Sequence, residues 1–282
     1  MKSENYNPED EVMKAVFLVD NNGTETLEGE WGLSVYIETD ALNILLDTGA
    51  SALFIENAEK LGKDLTKIDV GVLSHAHDDH STGIPDFFKV NNKAKFYLRK
   101  PAAANCYSYD EGEYQYIGIP EELLTEYADR VVLADGDVEL APGIYLIPHK
   151  TPGLESIGVR ENMFLKTEDG YRPDDFAHEQ SLVIETEKGL VIFNSCCHGG
   201  TMNIIREVEE TLPGKDIYAL IGGFHLYNKT EDEVRSVGRA LKEHGLRYVC
   251  TGHCTGNEAY AILEEELGDI LHPMYCGMEI TI

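Results

Sequence analysis

The stretch "SHAHDDHSTG", Ser74 to Gly83, decides the fold. Within six residues it contains four side chains that can bind metal, His75, His77, Asp79 and His80. The apolar run "VGVL" before it predicts a strand, so alternation puts the first two histidines on one side while the other two side chains follow at the turn. Imidazole and carboxylate groups bind zinc, iron and manganese. The spacing therefore predicts part of the coordination shells of two neighbouring metal ions, and the alternative is a solvated polar loop.

A second motif lies about two dozen residues earlier, in "NILLDTGAS", Asn43 to Ser51. Asp-Thr-Gly after an apolar strand is also how an aspartic protease presents a catalytic carboxylate, but such a protease needs two carboxylates that share one proton. This chain has one Asp-Thr-Gly, and its 282 residues are far more than one half of a symmetric dimeric protease needs. The role of Asp47 therefore depends on the residues that follow it.

Together the two motifs resemble the metallo-β-lactamase superfamily. The resemblance spans nearly the whole chain, from "LLDTGAS" to "TGHCTG". It implies an α/β fold, a four-layer αββα sandwich with the metals at one edge of its two sheets. In that fold Asp47 would be a buried carboxylate that orients the metal-binding histidines without binding metal itself.

The family pattern also implies later ligands at strand ends. His253, in "RYVCTGHCTG", follows a predicted strand, and a predicted hairpin, "SLVIETEKGLVIFNS", has His178 before it and Cys196 and His198 after it. Family members usually have a bridging aspartate after this hairpin. No aspartate follows "VIFNS" here, so the candidates for the bridge are His198, Cys196 or a water. His198 and His253 are expected to bind metal, whereas His178 and His225 would either bind metal or hold hydrogen bonds or substrate.

Four further stretches resemble a narrower branch, the 7,8-dihydropterin-6-methyl-4-(β-D-ribofuranosyl)aminobenzene-5′-phosphate synthases: "DDFAHEQSLVI", "CCHGG", "GGFHL" and "HCTG". This resemblance implies a metal-dependent enzyme acting on a small phosphate- or diphosphate-bearing substrate, by hydrolysis or by displacing diphosphate from a pterin with an arylamine. Two divalent ions, zinc or alternatively iron or manganese, would be its cofactors. Asp79 would bind metal and accept a proton from the nucleophile. The alternatives are a dinuclear hydrolase of an ester, lactone or phosphodiester, and a non-catalytic metal or redox sensor.

The charge balance limits the partners. There are 51 Asp and Glu residues against 23 Lys and Arg, a formal net charge of −28, which disfavours binding to nucleic-acid phosphate. An anionic small-molecule substrate would instead find free N–H groups at the predicted helix starts after "CCHGGT" and "HCTGNE". No apolar run approaches a membrane span, and the first residues, "MKSENYNPEDE", lack the apolar region of a signal peptide. We therefore expect a cytoplasmic protein with a small-molecule substrate and neither a nucleic-acid nor a membrane partner.

The rest of the chain predicts one domain over residues 1–282, with a tyrosine-rich insertion at about 101–137. Early strands form hairpins and later strands alternate with helices. Capping boxes are predicted at Thr230 with Glu233 and at Thr255 with Glu258, and a C-terminal cap at Gly245. Six cysteines are too few for a disulfide framework in a chain of this size. Outside the site, His149 and His272 are predicted as loop residues, and His244 as a surface partner of a helix dipole.

Overall fold

The computed structural model describes residues 13–282. The residues on which the prediction of no signal peptide depends, 1–11, lie outside this range. The strands are β1 (Lys14–Val19), β2 (Ser34–Glu38), β3 (Asn43–Leu46), β4 (Val70–Val72), β5 (Lys95–Arg99), β6 (Cys106–Asp110), β7 (Glu113–Tyr116), β8 (Val131–Ala134), β9 (Val138–Ala141), β10 (Ile144–Pro148), β11 (Met163–Thr167), β12 (Gly170–Pro173), β13 (Gln180–Thr186), β14 (Gly189–Phe193), β15 (Ile217–Ile221), β16 (Tyr248–Thr251), β17 (Leu271–Pro273) and β18 (Glu279–Thr281). The α-helices are α1 (Leu53–Lys60), α2 (Asp78–Ser81), α3 (Ile84–Val90), α4 (Glu155–Arg160), α5 (Thr201–Thr211), α6 (Glu231–His244) and α7 (Asn257–Leu267).

Two seven-stranded sheets form the centre of the protein. The first has the order β18-β1-β2-β3-β4-β5-β8 and the second the order β17-β16-β15-β14-β13-β10-β9. Strands β3, β4, β5 and β8 run parallel in the first sheet, and β14 to β17 run parallel in the second. Parallel strands end at the same edge of a sheet, and ligands of α/β proteins bind at that edge.

Alternation along the strands divides the apolar side chains between three cores. In β3, Ile44 lies between the two sheets while Leu45 faces the helices on the outer side. In β14, Phe193 lies between the sheets and Ile192 faces outward. Helices α1 and α3 cover the first sheet, and α5, α6 and α7 cover the second. The predicted four-layer αββα sandwich is confirmed, because each sheet has one face on the shared core and one on helices.

The segment predicted as a tyrosine-rich insertion includes β6 and β7. They belong to a third, four-stranded sheet with the order β12-β11-β6-β7. Its tyrosines pack on one another, and the rings of Tyr114 and Tyr171 stack with their centroids 3.5 Å apart. The segment then returns to the centre of the protein, where the carbonyl of Ile117 accepts a hydrogen bond from the N–H of Asp78 at 2.9 Å. This contact holds the end of the segment against the histidine loop after β4.

Two of the predicted helix ends are confirmed. Thr230 and Glu233 form a reciprocal capping box at the start of α6. Gly245 ends the same helix in the left-handed region, with φ of 92°. Both features stand in the sequence next to a strongly amphipathic segment, which is why local patterns suffice to find them.

The predicted capping box of Thr255 with Glu258 is wrong. Helix α7 begins after Gly256, and no side chain caps it. The hydroxyl of Thr255 is buried and instead accepts a hydrogen bond from the N–H of Phe224 at 2.9 Å. It also forms a hydrogen bond with the hydroxyl of Thr251, at an oxygen–oxygen distance of 2.5 Å. A tertiary contact between two loops therefore replaces the local cap.

Three other predictions concern single residues or segments. All six cysteines are free and buried, which confirms that there is no disulfide framework. His272 is not a loop residue, because it lies in β17 with its ring stacked on Tyr248, 4.1 Å between centroids. Among residues 13–282 no helix is long and apolar enough to cross a membrane.

Candidate metal centre

Loops from both sheets meet at one edge of the sandwich. The loops after β1, β3 and β4 belong to the first sheet, and those after β14, β15 and β16 to the second. The Nε2 atom of His80, which follows β4 of the first sheet, lies 3.2 Å from Nε2 of His253, which follows β16 of the second sheet. The sequence-predicted site residues, far apart in the chain, are thus neighbours.

Three histidines form one half of this site. Nε2 of His75 and of His77, and both ring nitrogens of His198, are buried without a hydrogen-bond partner among the described residues. The His198 ring lies 4.9 Å from each of the other two rings, centroid to centroid. Burial lowers the pKa of His75 and His198 well below the usual value and that of His77 to about 3. The imidazoles are therefore neutral, which is the form that binds metal.

A second group of donor atoms converges beside the first. Asp79 Oδ2 lies 3.5 Å from Nε2 of His80 and 3.4 Å from Nε2 of His253. Burial alone would raise the pKa of Asp79, but the two histidines hold it well below its usual range. A carboxylate and two imidazole nitrogens thus point at one small volume, as they would around a metal ion.

Asp47 fixes the orientation of His80. Its Oδ2 lies 2.8 Å from His80 Nδ1 and accepts a hydrogen bond from Ser74 Oγ, while its Oδ1 accepts one from Ser74 N, both at 2.7 Å. Asp47 is fully buried. Because Nδ1 of His80 is held by the carboxylate, its Nε2 is directed into the site.

Asp20 and Asn21, which were not predicted from the sequence, hold the backbone and the ring of His253. Asp20 Oδ2 accepts a hydrogen bond from His253 N at 2.9 Å, and Asn21 Oδ1 lies 3.0 Å from His253 Nδ1. Both residues directly follow the buried strand β1, as Asp47 follows β3. A polar residue immediately after an apolar strand was therefore the sequence pattern from which these two supporting residues could have been predicted.

Cys196 lies between the two groups. Donor atoms of His75, Cys196 and His198 lie within 4.8 Å of one another, and so do those of His80, Cys196 and His253. The Cys196 sulfur is 3.3 Å from His80 Nε2 and 3.4 Å from the sulfur of Cys254. Burial raises the pKa of Cys196 well above that of a free thiol, so only a nearby cation would make it a thiolate.

His178 has both ring nitrogens engaged. Nδ1 accepts a hydrogen bond from the N–H of Ala76 at 3.1 Å, and Nε2 lies 3.0 Å from Asp174 Oδ2. Donor atoms of His77, Cys106, Asp174 and His178 do lie within 4.8 Å of one another. The hydrogen bonds nevertheless favour a positioning role for His178, because they hold the peptide between the first two histidines of the motif.

Comparison with known proteins agrees with this geometry. Residues 31–163 match the metallo-β-lactamase superfamily. The 7,8-dihydropterin-6-methyl-4-(β-D-ribofuranosyl)-aminobenzene-5′-phosphate synthase of Methanocaldococcus jannaschii is 30% identical over 259 residues, which cover 87% of this chain and 88% of the synthase. The chain belongs to the metallo-β-lactamase superfamily.

Two further proteins are similar over most of their length. An uncharacterized protein of the same archaeon is 26% identical over 257 residues, covering 88% of this chain and 93% of that protein. A crystal structure of a metal-dependent hydrolase of the β-lactamase superfamily is 29% identical and superposes with a TM-score of 0.79, covering 96% of this chain and 99% of that one. Divalent metal binding is typical of this superfamily, and groups of His, Cys and Asp side chains suited to it are present here.

Another feature of this superfamily member was missed in the sequence. His149 is a loop residue, as predicted, but its side chain is buried between Glu179, which is hydrogen-bonded to Nε2, and Glu207, 2.9 Å from Nδ1. Glu179 in turn accepts hydrogen bonds from the N–H groups of His198 and Gly199, both at 3.0 Å. These ion pairs and backbone hydrogen bonds together hold the loop after β14 in place.

Backbone strain concentrates at the same edge. Five residues of these loops or beside them adopt positive φ without being glycine, Asp47, Phe176, Cys197, His225 and His253, with φ between 46° and 57°. Such residues occupy the left-handed region at an energetic cost, which the surrounding contacts must offset. The concentration of strain fits a functional site.

Two aromatic side chains stand at the mouth of the site. Trp31 packs against His253, 5.2 Å between ring centroids, and meets Tyr227 edge to face at 5.8 Å. Trp31 is 52% exposed and Tyr227 53% exposed. The cavity behind them has a volume of about 160 Å³ and is lined by Trp31, His77, Asp78, Asp79, Ser108, Ile117, Met163, Cys196, His198, His225, Tyr227, His253 and Cys254. Segments that follow strands of the first and second sheets, together with Ser108 and Met163 of the third sheet, therefore enclose one small chamber.

Proposed function

We propose that this protein is a metal-dependent enzyme that holds two divalent ions, with zinc favoured over iron or manganese. The observation behind the proposal is the set of buried ring nitrogens without hydrogen-bond partners on His75, His77 and His198. An unpaired buried polar group costs about 1–3 kcal/mol, so several together in one chamber need a ligand that satisfies them. A metal ion satisfies neutral imidazole nitrogens directly.

The ligands divide between two ions. His75, His77 and His198 would hold the first ion, since their rings lie within 4.6–4.9 Å of one another, centroid to centroid. Asp79, His80 and His253 would hold the second, with Cys196 in contact with both groups. In this proposal Cys196 replaces the bridging aspartate that is usual in the superfamily, and Asp47 remains a positioning residue.

The reaction would take place in the chamber behind Trp31. Bound divalent ions supply Lewis-acid stabilisation of developing negative charge and lower the pKa of water. The carboxylate of Asp79 would accept a proton from the attacking nucleophile. Trp31 and Tyr227 offer exposed ring faces against which a flat substrate ring can stack.

The proposed substrate is a small phosphate- or diphosphate-bearing molecule. The name of the Methanocaldococcus relative supports the condensation of a dihydropterin with an arylamine phosphate, in which the amine nitrogen displaces diphosphate from the pterin methylene carbon. The metal-dependent hydrolase with the same fold supports a second candidate, the dinuclear hydrolysis of an ester, lactone or phosphodiester. The same residues would serve both reactions, because both need a positioned nucleophile and a stabilised leaving group.

Diphosphate release distinguishes the candidates. The metal-loaded protein is mixed with dihydropterin-methyl diphosphate, with and without the arylamine phosphate. The condensation predicts release only with the amine, whereas a hydrolase acting on the diphosphate ester predicts release without it. No release in either case, together with no hydrolysis of model esters, lactones or phosphodiesters, would contradict the enzyme assignment and favour a metal sensor.

A pair of variants provides the control. His77→Ala should lose metal and turnover together, since Nε2 of His77 has no other partner. His244→Ala should lose neither, because that ring lies in the last turn of α6 and pairs with Glu209 at 3.0 Å.

A further inference from the structure

A second cavity lies behind two histidines of the site. It has a volume of about 240 Å³ and lies between α4, the start of α5 and the loop after β15. His198 and His225 line both this cavity and the chamber of the metal centre. The rings of His198 and His225 therefore form part of the wall that the two cavities share.

Two of the cations of this acidic chain lie at the second cavity. Lys229 and Arg160 both line it. Lys229 Nζ donates to both carboxylate oxygens of Glu161, at 2.6 and 2.7 Å, and Arg160 Nε donates to the same carboxylate at 2.8 Å. Burial alone would raise the pKa of Glu161, but its hydrogen bonds lower it to about 2, so it is ionised. Two positive charges against one negative charge leave the cavity with an excess of one positive charge.

Hydrogen-bond donors surround the same space. Helix α5 has 11 residues and begins at Thr201 after Gly200. The N–H groups of Asn203 and Ile204 both bond to the Gly200 carbonyl, whereas those of Thr201 and Met202 have no acceptor within the helix. Arg160 donates to Glu161 through Nε. Because a guanidinium has five N–H donors, the other four are not used in this ion pair.

His225 is the observation that points to a missing ligand. The residue is only 8% exposed, and neither ring nitrogen has a hydrogen-bond partner among residues 13–282. Its Nε2 is 3.7 Å from Glu161 Oε2, beyond hydrogen-bond distance. The backbone of His225 is also held at φ of 50°, so the fold keeps the ring there despite the strain.

We propose that this cavity binds a phosphate group of the substrate, through Arg160, His225 and the first-turn N–H groups of α5. The inference rests on the proposed function, whose substrate contains phosphate. A phosphate group has about two negative charges and several acceptor oxygens, which match donors that come from three separate elements. A helix N-terminus adds a favourable partial positive charge.

The start of α7, the other helix start expected from the sequence, is the weaker candidate. The cavity in front of it has a volume of about 530 Å³ and is lined by Trp31, Tyr260, Tyr275 and nine further residues, none of them Lys or Arg. Without a Lys or Arg, a phosphate there would depend on uncharged side-chain donors and backbone N–H groups in a strongly acidic protein. The geometry therefore assigns the phosphate to α5.

Calorimetric titration of the metal-loaded protein with inorganic phosphate tests the assignment. Arg160→Met should weaken phosphate binding about tenfold, because it removes a charge-assisted hydrogen bond. The matched control is Arg239→Met, since the side chain of Arg239 is 55% exposed against 56% for Arg160 and lies on α6 beside Glu266. Equal binding in wild type and Arg160→Met, or equal loss in both variants, would overturn the proposal.

Glu161→Gln gives a change of the opposite sign. Removing the carboxylate raises the net charge of the cavity by one and should tighten phosphate binding several-fold. If Glu161 serves only to hold Arg160 and Lys229 in place, the same substitution would weaken binding or leave it unchanged, and either result would contradict the proposal.

Metal content of the same preparations keeps the two proposals separate. Normal metal content and turnover with phosphate binding that ignores Arg160 and Glu161 would remove the subsite and leave the proposed function standing. Phosphate binding that depends on both residues in a protein without metal or turnover would support the subsite and contradict the proposed function.

Discussion

The sulfur of Cys196 lies 3.3 Å from Nε2 of His80. This contact joins the two groups of donor atoms, because Cys196 is also close to His75 and His198. Cys196 lies in the loop after β14 of the second sheet, whereas His80 lies in α2, which follows β4 of the first sheet. The position between the two groups is the one in which a bridging ligand would be expected.

Cys196→Ser should remove the sulfur ligand from the metal centre. Cobalt substitution measures this, since a thiolate bound to Co²⁺ gives a charge-transfer absorption that oxygen and nitrogen ligands do not. We expect the band in the wild-type protein and its loss in Cys196→Ser. Metal affinity should fall as well, because a hydroxyl is a poorer ligand than a thiolate.

The neighbouring Cys197 provides the control. Its N–H donates to Asn194 Oδ1 at 2.8 Å, and its side chain packs in the core beneath α5. Cys197→Ser should therefore keep the band. A band that survives in Cys196→Ser and disappears in Cys254→Ser would show that the other sulfur at this site is the ligand.

Asp47→Asn should weaken metal binding without unfolding the protein. The substitution keeps the shape of the side chain, and asparagine tolerates the positive φ of 57° at this position. It removes the negative charge beside His80 Nδ1, and the loss of such a supporting partner typically costs about 10–100-fold in metal affinity. Chelator competition measures the change, with the fluorescence of Trp31, the only tryptophan, as a reporter beside His253. Unchanged affinity would contradict the positioning role.

The ion pairs of His149 predict a pH dependence of stability. Burial alone would lower the pKa of His149, but Glu179 and Glu207 raise it to about 9. The pKa in the unfolded chain is about 6.5. Because the folded-state pKa is the higher, the stabilisation is complete below pH 6.5 and is lost as the pH rises towards 9, by on the order of 3 kcal/mol.

Thermal unfolding of wild type and His149→Gln between pH 6 and pH 10 measures this effect. The wild-type advantage should shrink as the pH rises, since glutamine does not titrate. A difference in melting temperature that is constant over this range would contradict the prediction.

Local patterns predicted most of the central fold. Runs such as "LNILLD" and "LVIFNS" contain both β-branched residues and a polar terminus, so β3 and β14 were evident along with the loops after them. The third sheet was not predicted. Its strands pair Cys106 with Leu165 across about sixty residues, and its tyrosines show weak alternation.

The metal-binding motif was also predictable from the sequence, but the residues that hold its histidines in place by hydrogen bonds were not. His75, His77, Asp79 and His80 stand in one motif, and that motif has a recognisable spacing. The hydrogen bonds of Asp20 to His253 and of Glu179 to His198 instead join residues that are distant in the chain or have no motif of their own. Such contacts depend on how the two sheets pack, which a single sequence does not display locally.

The central claim is a dinuclear metal centre that uses His198 and spares His178. Elemental analysis of anaerobically purified protein tests it most directly, for the wild type, His198→Ala and His178→Ala. We predict about two metal equivalents per chain in the wild type, about one in His198→Ala and about two in His178→Ala. One equivalent or none in the wild type, or a loss in His178→Ala with none in His198→Ala, would contradict the account.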